Sequence, residues 1–395
     1  MNSDFNRQEA EEAIEGLRNG VPPEARVSTW LLVGRDRLLK EAAEDLDVVA
    51  NGGFRTRLLL GEYGSGKSHF LGALQDLAYA RKFAVAACAQ DLASRAVANR
   101  PDLLYRRIVG ALSLSSGNQD GLGTLLTKWT EHVMPMVSNL NLSVHRALRL
   151  ADLGKLPPKE EIPRRTTLAL TGYLIAAQVG NDEIRRQMIQ GLLDVQIENR
   201  QLIALAEQVG FRKSHVDYTP SRYDGMFFFQ QLNVLGHMLR VIGYQGTVLL
   251  LDELESIAEL RRSKSRQKAY QILHALFFNT YRASGLYAVF AFTPTFVAQL
   301  ASDEDMTGGE YQADWLRLWK ENKWELLPID DNQARTLLQK VAILHGTAFE
   351  WDATAALDGS IDKIIQRWSK GGRNTRELVR TAVGFFDNAE RHQTT

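Results

Sequence analysis

Gly61-Glu62-Tyr63-Gly64-Ser65-Gly66-Lys67-Ser68 follows the pattern G-x-x-x-x-G-K-[ST], that of a phosphate-binding loop. The apolar run Leu58-Leu59-Leu60 precedes it, and His69-Phe70-Leu71-Gly72-Ala73-Leu74, helical in pattern, follows. Strand, glycine loop and helix are the setting that turns this pattern into a site. Glycines let the backbone curl around an anion, so successive N–H groups and the helix N-terminus point at phosphates. Lys67 is then expected to reach the β- and γ-phosphates of a nucleoside triphosphate, and the Ser68 hydroxyl to sit on Mg²⁺. The stretch from Gly61 to His69 is the expected nucleotide-binding segment, with His69 packed or hydrogen-bonded at the helix start. The competing reading is a glycine-rich turn that binds nothing.

A second stretch, Thr247-Val248-Leu249-Leu250-Leu251-Asp252-Glu253, ends an apolar run in two carboxylates. The run reads as a strand buried on both faces, as in a parallel sheet covered by helices. Carboxylates at the C-terminal end of such a strand fall where ligands bind in open α/β sheets. Asp252 is the expected Mg²⁺-side acid. Glu253, one residue on, is placed to orient or deprotonate an attacking water. For each, the alternative is a strand-end residue facing solvent.

The 395 residues are enough for one large or two ordinary domains. Apolar residues at 45% and charged residues at 24% are average for a soluble globular chain. Net charge is zero, so no global field favours nucleic acid or an anionic membrane, and DNA contact requires a local patch. One cysteine, Cys88, rules out an intrachain disulfide framework or a multi-cysteine zinc site and suits a reducing cytoplasm. It lies in a strand-like run and reads as a small buried hydrophobe. The eight histidines show no metal-ligand spacing. Met1 to Asn6 has no apolar signal core, and no apolar stretch approaches the ~20 residues that cross a bilayer. A cytoplasmic protein without membrane attachment is expected.

Residues 7–18 read as an amphipathic helix with Ala10, Ala13, Ile14 and Leu17 on one face. A helix from about Asp36 to Ala50 leads into the first strand. Further strands are expected at Phe83 to Ala89, Val248 to Leu251, Tyr287 to Phe292 and Trp324 to Ile329. Their alternation with helical pattern specifies an α/β parallel sheet with crossover helices. Residues from about 115 to 225 read as a largely helical insertion, with loops at Gly117 to Gly123 and around Pro157-Pro158. Helices at Asn332 to Leu344, Ser360 to Trp368 (Ser360 as N-cap) and Thr375 to Phe386 make an all-helical C-terminal lid. The expected division is a phosphate-loop core over 1–330 and a lid over 331–395.

Phosphate loop, Asp-Glu strand end, a later strand ending in a polar residue and a helical lid together resemble an AAA+ ATPase, in an order similar to the origin-recognition and STAND branches. More specifically, the chain resembles the ATP-binding protein family of bacterial BREX phage-defence systems. Ile14-Glu15-Gly16-Leu17-Arg18-Asn19-Gly20-Val21-Pro22, Val33-Gly34-Arg35, the phosphate loop through Leu71, and Leu251-Asp252-Glu253-Leu254-Glu255 carry that likeness. It implies ATP and Mg²⁺ as ligands and a role beside DNA-acting partners such as helicases or methyltransferases.

The resemblance also implies further site residues. Thr293 matches a first sensor of the γ-phosphate and attacking water, or else caps the turn before Pro294. Arg376 resembles a second, lid-borne sensor; Arg373 competes with it, and a surface salt bridge is the bland reading. Arg317, between Trp315 and Trp319, matches an arginine finger supplied to a neighbouring subunit of a homo-oligomer, or lies along an aromatic face. Arg261, Arg262, Lys264, Arg266 and Lys268 would neutralise phosphates of double-stranded DNA, or form a solvated helix face.

An ATPase of phage defence that couples nucleotide state to assembly or to DNA-acting partners is the first expectation. A nucleotide-dependent regulatory scaffold with little turnover is the second. A DNA-loading ATPase akin to origin-binding proteins is weakened by the neutral charge.

Overall fold

Short apolar strands alternating with amphipathic helices build one mostly parallel sheet. The computed structural model of the protein describes residues 5–89, 99–117, 120–136, 162–212, 216, 218–280, 282–307 and 321–393. Helices α1 (Arg7–Asn19), α2 (Ala25–Leu31) and α3 (Asp36–Ala50) lead to β1 (Phe54–Leu60), α4 (Lys67–Ala80) and β2 (Ala84–Ala89). Next come α5 (Pro101–Gly110), the two-residue β3 (Leu112–Ser113), α6 (Gly121–Val133), α7 (Arg164–Gln178), α8 (Asp182–Leu193), α9 (Asn199–Gln208) and α10 (Gly225–Val241). The chain returns through β4 (Thr247–Asp252), a 3₁₀ segment (Leu254–Glu259), α11 (Ser263–Phe277), β5 (Leu286–Phe292), α12 (Pro294–Thr307) and β6 (Lys323–Glu325). Helices α13 (Asp331–Phe349), α14 (Ala353–Asp358), α15 (Ile361–Lys370) and α16 (Thr375–Gln393) follow.

The strand order is β3-β2-β4-β5-β1-β6. Every pairing is parallel except β2 with β3. The register sets Leu60 beside Phe292 and Ala89 beside Asp252, so the carboxyl ends of the central strands finish together. Alternate residues face opposite sides of the pleat. Leu249, Leu251, Phe290 and Phe292 enter one core with α5 to α11, while Val248, Leu250, Val289 and Ala291 enter another with α3 and α4. The described helices between α6 and α10 therefore share a core with one sheet face.

A third core joins the two ends of the chain. Ala10, Ala13, Ile14 and Leu17 of α1 pack with Leu338, Val341, Val379 and Phe386 of the C-terminal helices. Asn6 and Glu9 form a capping box at the start of α1, satisfying its first N–H groups. Helix α2 lies along α4, where Thr29 donates to Asp76 at 3.0 Å. From α13, Lys340 donates to the carbonyls of Trp30 and Leu32 at 2.6 and 3.0 Å, filling acceptors left open at the end of α2.

Several local details differ from the sequence reading. Of the run Trp324 to Ile329, only the start pairs in β6; the chain turns away where Leu327 is 62% exposed and Pro328 has no N–H to give. Helix α6 begins at Gly121, inside a span read as loop, because Asp120 accepts the Gly123 N–H. Ser360 sits at the N-cap of α15, but its side chain makes no capping bond. Pro157-Pro158 lies outside the described residues.

Candidate functional site

The glycine loop turns sharply between β1 and α4. Gly64 and Gly66 have φ of 79° and 96°, a region that costs other residues dearly. A Cβ on Gly66 would meet nothing, whereas one on Gly64 would land on the Asn374 amide. Helix α4 opens directly on Lys67, so its unpaired N–H groups face outward at the loop. Buried Lys67 donates through Nζ to the carbonyls of Gly61 at 2.9 Å and Glu62 at 3.4 Å.

Strands β1 and β4 are not neighbours; β5 runs between them. Their ends nevertheless meet, because Ser68 Oγ donates to Asp252 Oδ2 at 2.6 Å. The other Asp252 oxygen accepts the Glu253 N–H at 2.9 Å, and Glu253 takes a left-handed φ of 57° that leaves its side chain exposed. A hydroxyl and a carboxylate in contact are hard oxygen donors of the kind Mg²⁺ takes with a bound phosphate.

A cavity of about 360 Å³ opens over the loop, within the range that takes a small ligand. Its polar end is lined by Tyr63 to His69, Asp252, Glu253, Glu255 and Ser256. Leu17, Val21, Leu31, Val33, Ile329 and Val379 line the apolar end. Four buried polar atoms on this lining have no partner among the described residues: Ser65 Oγ, Glu255 Oε2, Ser256 Oγ and Thr375 Oγ1. Burial pushes the Glu255 carboxyl above its usual range, against the opposing pull of Lys67. Burial, then the charge of Arg376, pushes His69 down to about 4, so its ring stays neutral near pH 7. An apolar slot leading to an N–H-rich anion cradle with unsatisfied hydroxyls fits a nucleotide.

The C-terminal helices close over the loop. Asn374 donates to Tyr63 O at 3.1 Å, and Arg376 N donates to Gly64 O at 3.2 Å. Of the two competing arginines, Arg376 lines the cavity. Arg373 instead pairs with Asp331 at 2.9 Å and lies over Trp368. Thr293 shares a hydrogen bond of 2.9 Å with Thr295 at the start of α12 and does not line the cavity. Arg317 lies outside the described residues. Arg261 and Arg262 precede α11, and Lys264, Arg266 and Lys268 occupy its first turns, away from the cavity lining. Among the described residues no group of His, Cys, Asp and Glu could hold a metal ion by itself, and no helix is long and apolar enough to cross a membrane. Cys88 is buried and unbridged, and burial pushes its thiol up to about 12.

Sequence reasoning missed the apolar wall, because its residues lie some 300 positions apart in the chain. The signal that could have found it is the segment from Ile14 to Pro22 with Val33-Gly34-Arg35, two stretches that carry the family likeness and no phosphate chemistry. Both reach the cavity: Leu17, Gly20, Val21, Pro22, Val33 and Arg35 line it. No curated protein and no solved structure matches the chain. A family model described as BREX system ATP-binding protein BrxC/D does match, over residues 5–395. With the match covering both the phosphate loop and the wall above it, the chain belongs to the family of BREX system ATP-binding proteins BrxC/D.

Proposed function

We propose that this protein is an AAA+-like ATPase of anti-phage defence that hydrolyses ATP to ADP and phosphate. The observation that carries the proposal is the contact of Ser68 with Asp252, with Glu253 next in the chain and the N-terminus of α4 alongside. The base would lie against Leu17, Val21, Leu31 and Val379. Backbone N–H groups of the loop and Lys67 would bind the β- and γ-phosphates. Mg²⁺, when bound through Ser68 and Asp252, supplies charge neutralisation at the phosphates. Glu253 orients the attacking water and accepts its proton. Arg376 brings the lid to the γ-phosphate, and loss of that phosphate releases it. Positioning and electrostatics supply the acceleration.

The family's BREX membership implies a role in phage defence, and helicases or methyltransferases acting on DNA are the partner class we propose. A direct contact with double-stranded DNA would use Arg261, Arg262, Lys264, Arg266 and Lys268. These cations crowd the N-terminal end of α11, where the helix dipole disfavours positive charge. A phosphate backbone would relieve that repulsion.

Calorimetric titration with ATP and phosphate-release kinetics test the proposal. Lys67→Ala should abolish binding. Glu253→Gln should bind ATP and hydrolyse it roughly 10²- to 10⁴-fold more slowly. Full turnover in Glu253→Gln would refute the assignment.

A further inference from the structure

Tyr63 is 69% exposed, so packing does not account for a large aromatic ring in the middle of the glycine loop. Among the described residues, its side chain and its carbonyl make their polar contacts with the start of the last helix. The Arg376 guanidinium lies 4.6 Å from the ring centroid, and Arg376 Nη1 donates to the Tyr63 hydroxyl. The Tyr63 carbonyl accepts from Asn374, whose own side-chain oxygen accepts the Glu377 N–H at 3.2 Å and so caps α16. One amide thus fixes the start of that helix and ties it to the loop. Arg376 also lies against Gly20, where a Cβ would come 3.5 Å from Arg376 Cδ. The arginine is held between the loop and the end of α1.

The choice of partner matters for charge. Among the described residues no carboxylate pairs with Arg376. A carboxylate would orient the guanidinium equally well but would neutralise it. A ring face and a hydroxyl orient it while leaving its full positive charge and its remaining N–H donors for an anion. We infer that Tyr63 is a positioning residue that presents Arg376, undischarged, to the terminal phosphate of a nucleoside triphosphate, so that the loop itself sets how strongly the lid distinguishes triphosphate from diphosphate. The inference rests on the nucleotide-binding reading above.

The test measures ATP and ADP affinities by calorimetry in the full chain, for the wild type and for Tyr63→Ala, Tyr63→Phe, Arg376→Ala and the Tyr63→Ala/Arg376→Ala double variant. Tyr63→Ala should lower the ATP-to-ADP affinity ratio by about tenfold, close to the effect of Arg376→Ala. The double variant should lose no more than either single one, since both remove the same interaction. Tyr63→Phe should recover part of the ratio through its ring. An equal loss of ATP and ADP affinity in Tyr63→Ala would mean only a deformed loop, and overturns the inference. So would additive losses in the double variant, or an Arg376→Ala variant with the wild-type ratio. A wild type that binds neither nucleotide overturns the proposed function itself, which separates the two failures.

Discussion

Ser68 Oγ lies 2.6 Å from Asp252 Oδ2, joining the first turn of α4 to the end of a strand two places away in the sheet. The pair is a ready-made set of oxygen donors. Asp252→Asn keeps the shape and removes the charge. Nucleotide affinity of the wild type should rise tenfold or more, on the order of 1.4 kcal/mol, when Mg²⁺ replaces EDTA, and that of Asp252→Asn should not. Titrations with and without the metal check this.

Asp45 on α3 is 4% exposed and takes both Arg57 Nε at 2.6 Å and Arg57 Nη2 at 3.0 Å. The Tyr287 hydroxyl donates to it at 3.1 Å, so one carboxylate clamps α3, β1 and β5. Arg57 also lies over the Trp324 ring. Asp45→Ala leaves a half-buried guanidinium unpaired and should cost about 3–5 kcal/mol of stability in denaturant unfolding.

Ile14→Ala hollows the core shared by the two chain ends and should cost about 2–5 kcal/mol. It should also weaken ATP binding, because Leu17 and Val21 stand on the same helix end and line the cavity. Leu192→Ala, in the core that α6 to α10 share with one face of the sheet, should cost similar stability and leave affinity near the wild-type value. Equal losses of affinity would contradict this division of labour.

His345 is fully buried in α13. Its Nδ1 accepts from Trp351 Nε1 at 2.9 Å, and indole is only a donor, so the ring proton sits on Nε2 and is given to Asp387 at 3.0 Å. Burial pushes His345 below its ordinary value despite Asp387. A folded-state value below the unfolded one means that the unfolded chain takes up a proton first. Stability from this group is therefore whole above about pH 6.5 and declines as pH falls below it. Burial alone would raise Asp387, but hydrogen bonds from Arg18 and His345 outweigh it and hold the carboxyl low, so its contribution also declines in acid. Melting temperature should drop between pH 7 and pH 5, and His345→Gln should flatten that slope.

Much of this architecture was legible because local pattern and tertiary role coincide. The four apolar residues read on one face of α1 are the four its helix buries. The loop and the Asp-Glu strand end were readable because glycine geometry and phosphate chemistry constrain the same few residues. What escaped lacked such overlap. The two residues of β3 are too few for any period, and the six of α14 lie in a span with little amphipathic contrast. The orphan hydroxyls of Ser256 and Thr375 carry no motif, since only the folded chain gathers them with that of Ser65 around one cavity. The grip of Tyr63 on Arg376 joins residues over 300 positions apart, through a loop position that the glycine pattern leaves unspecified.

Arg35 donates to Leu327 O at 2.6 Å, and Gly34 lies so close to Gln333 that a side chain there would collide with its amide. Gly34, Arg35 and Leu327 belong to the two stretches of chain, 32–35 and 326–330, that connect the terminal helices to the rest of the fold, and Gln333 stands in the first turn of α13. Two crossings stapled side by side hold these helices at two points, in contrast to a single tether that swivels freely. Because α1 and α16 share one core, a spectroscopic label on exposed Glu12 would report a movement of that core as would one placed on the last helix.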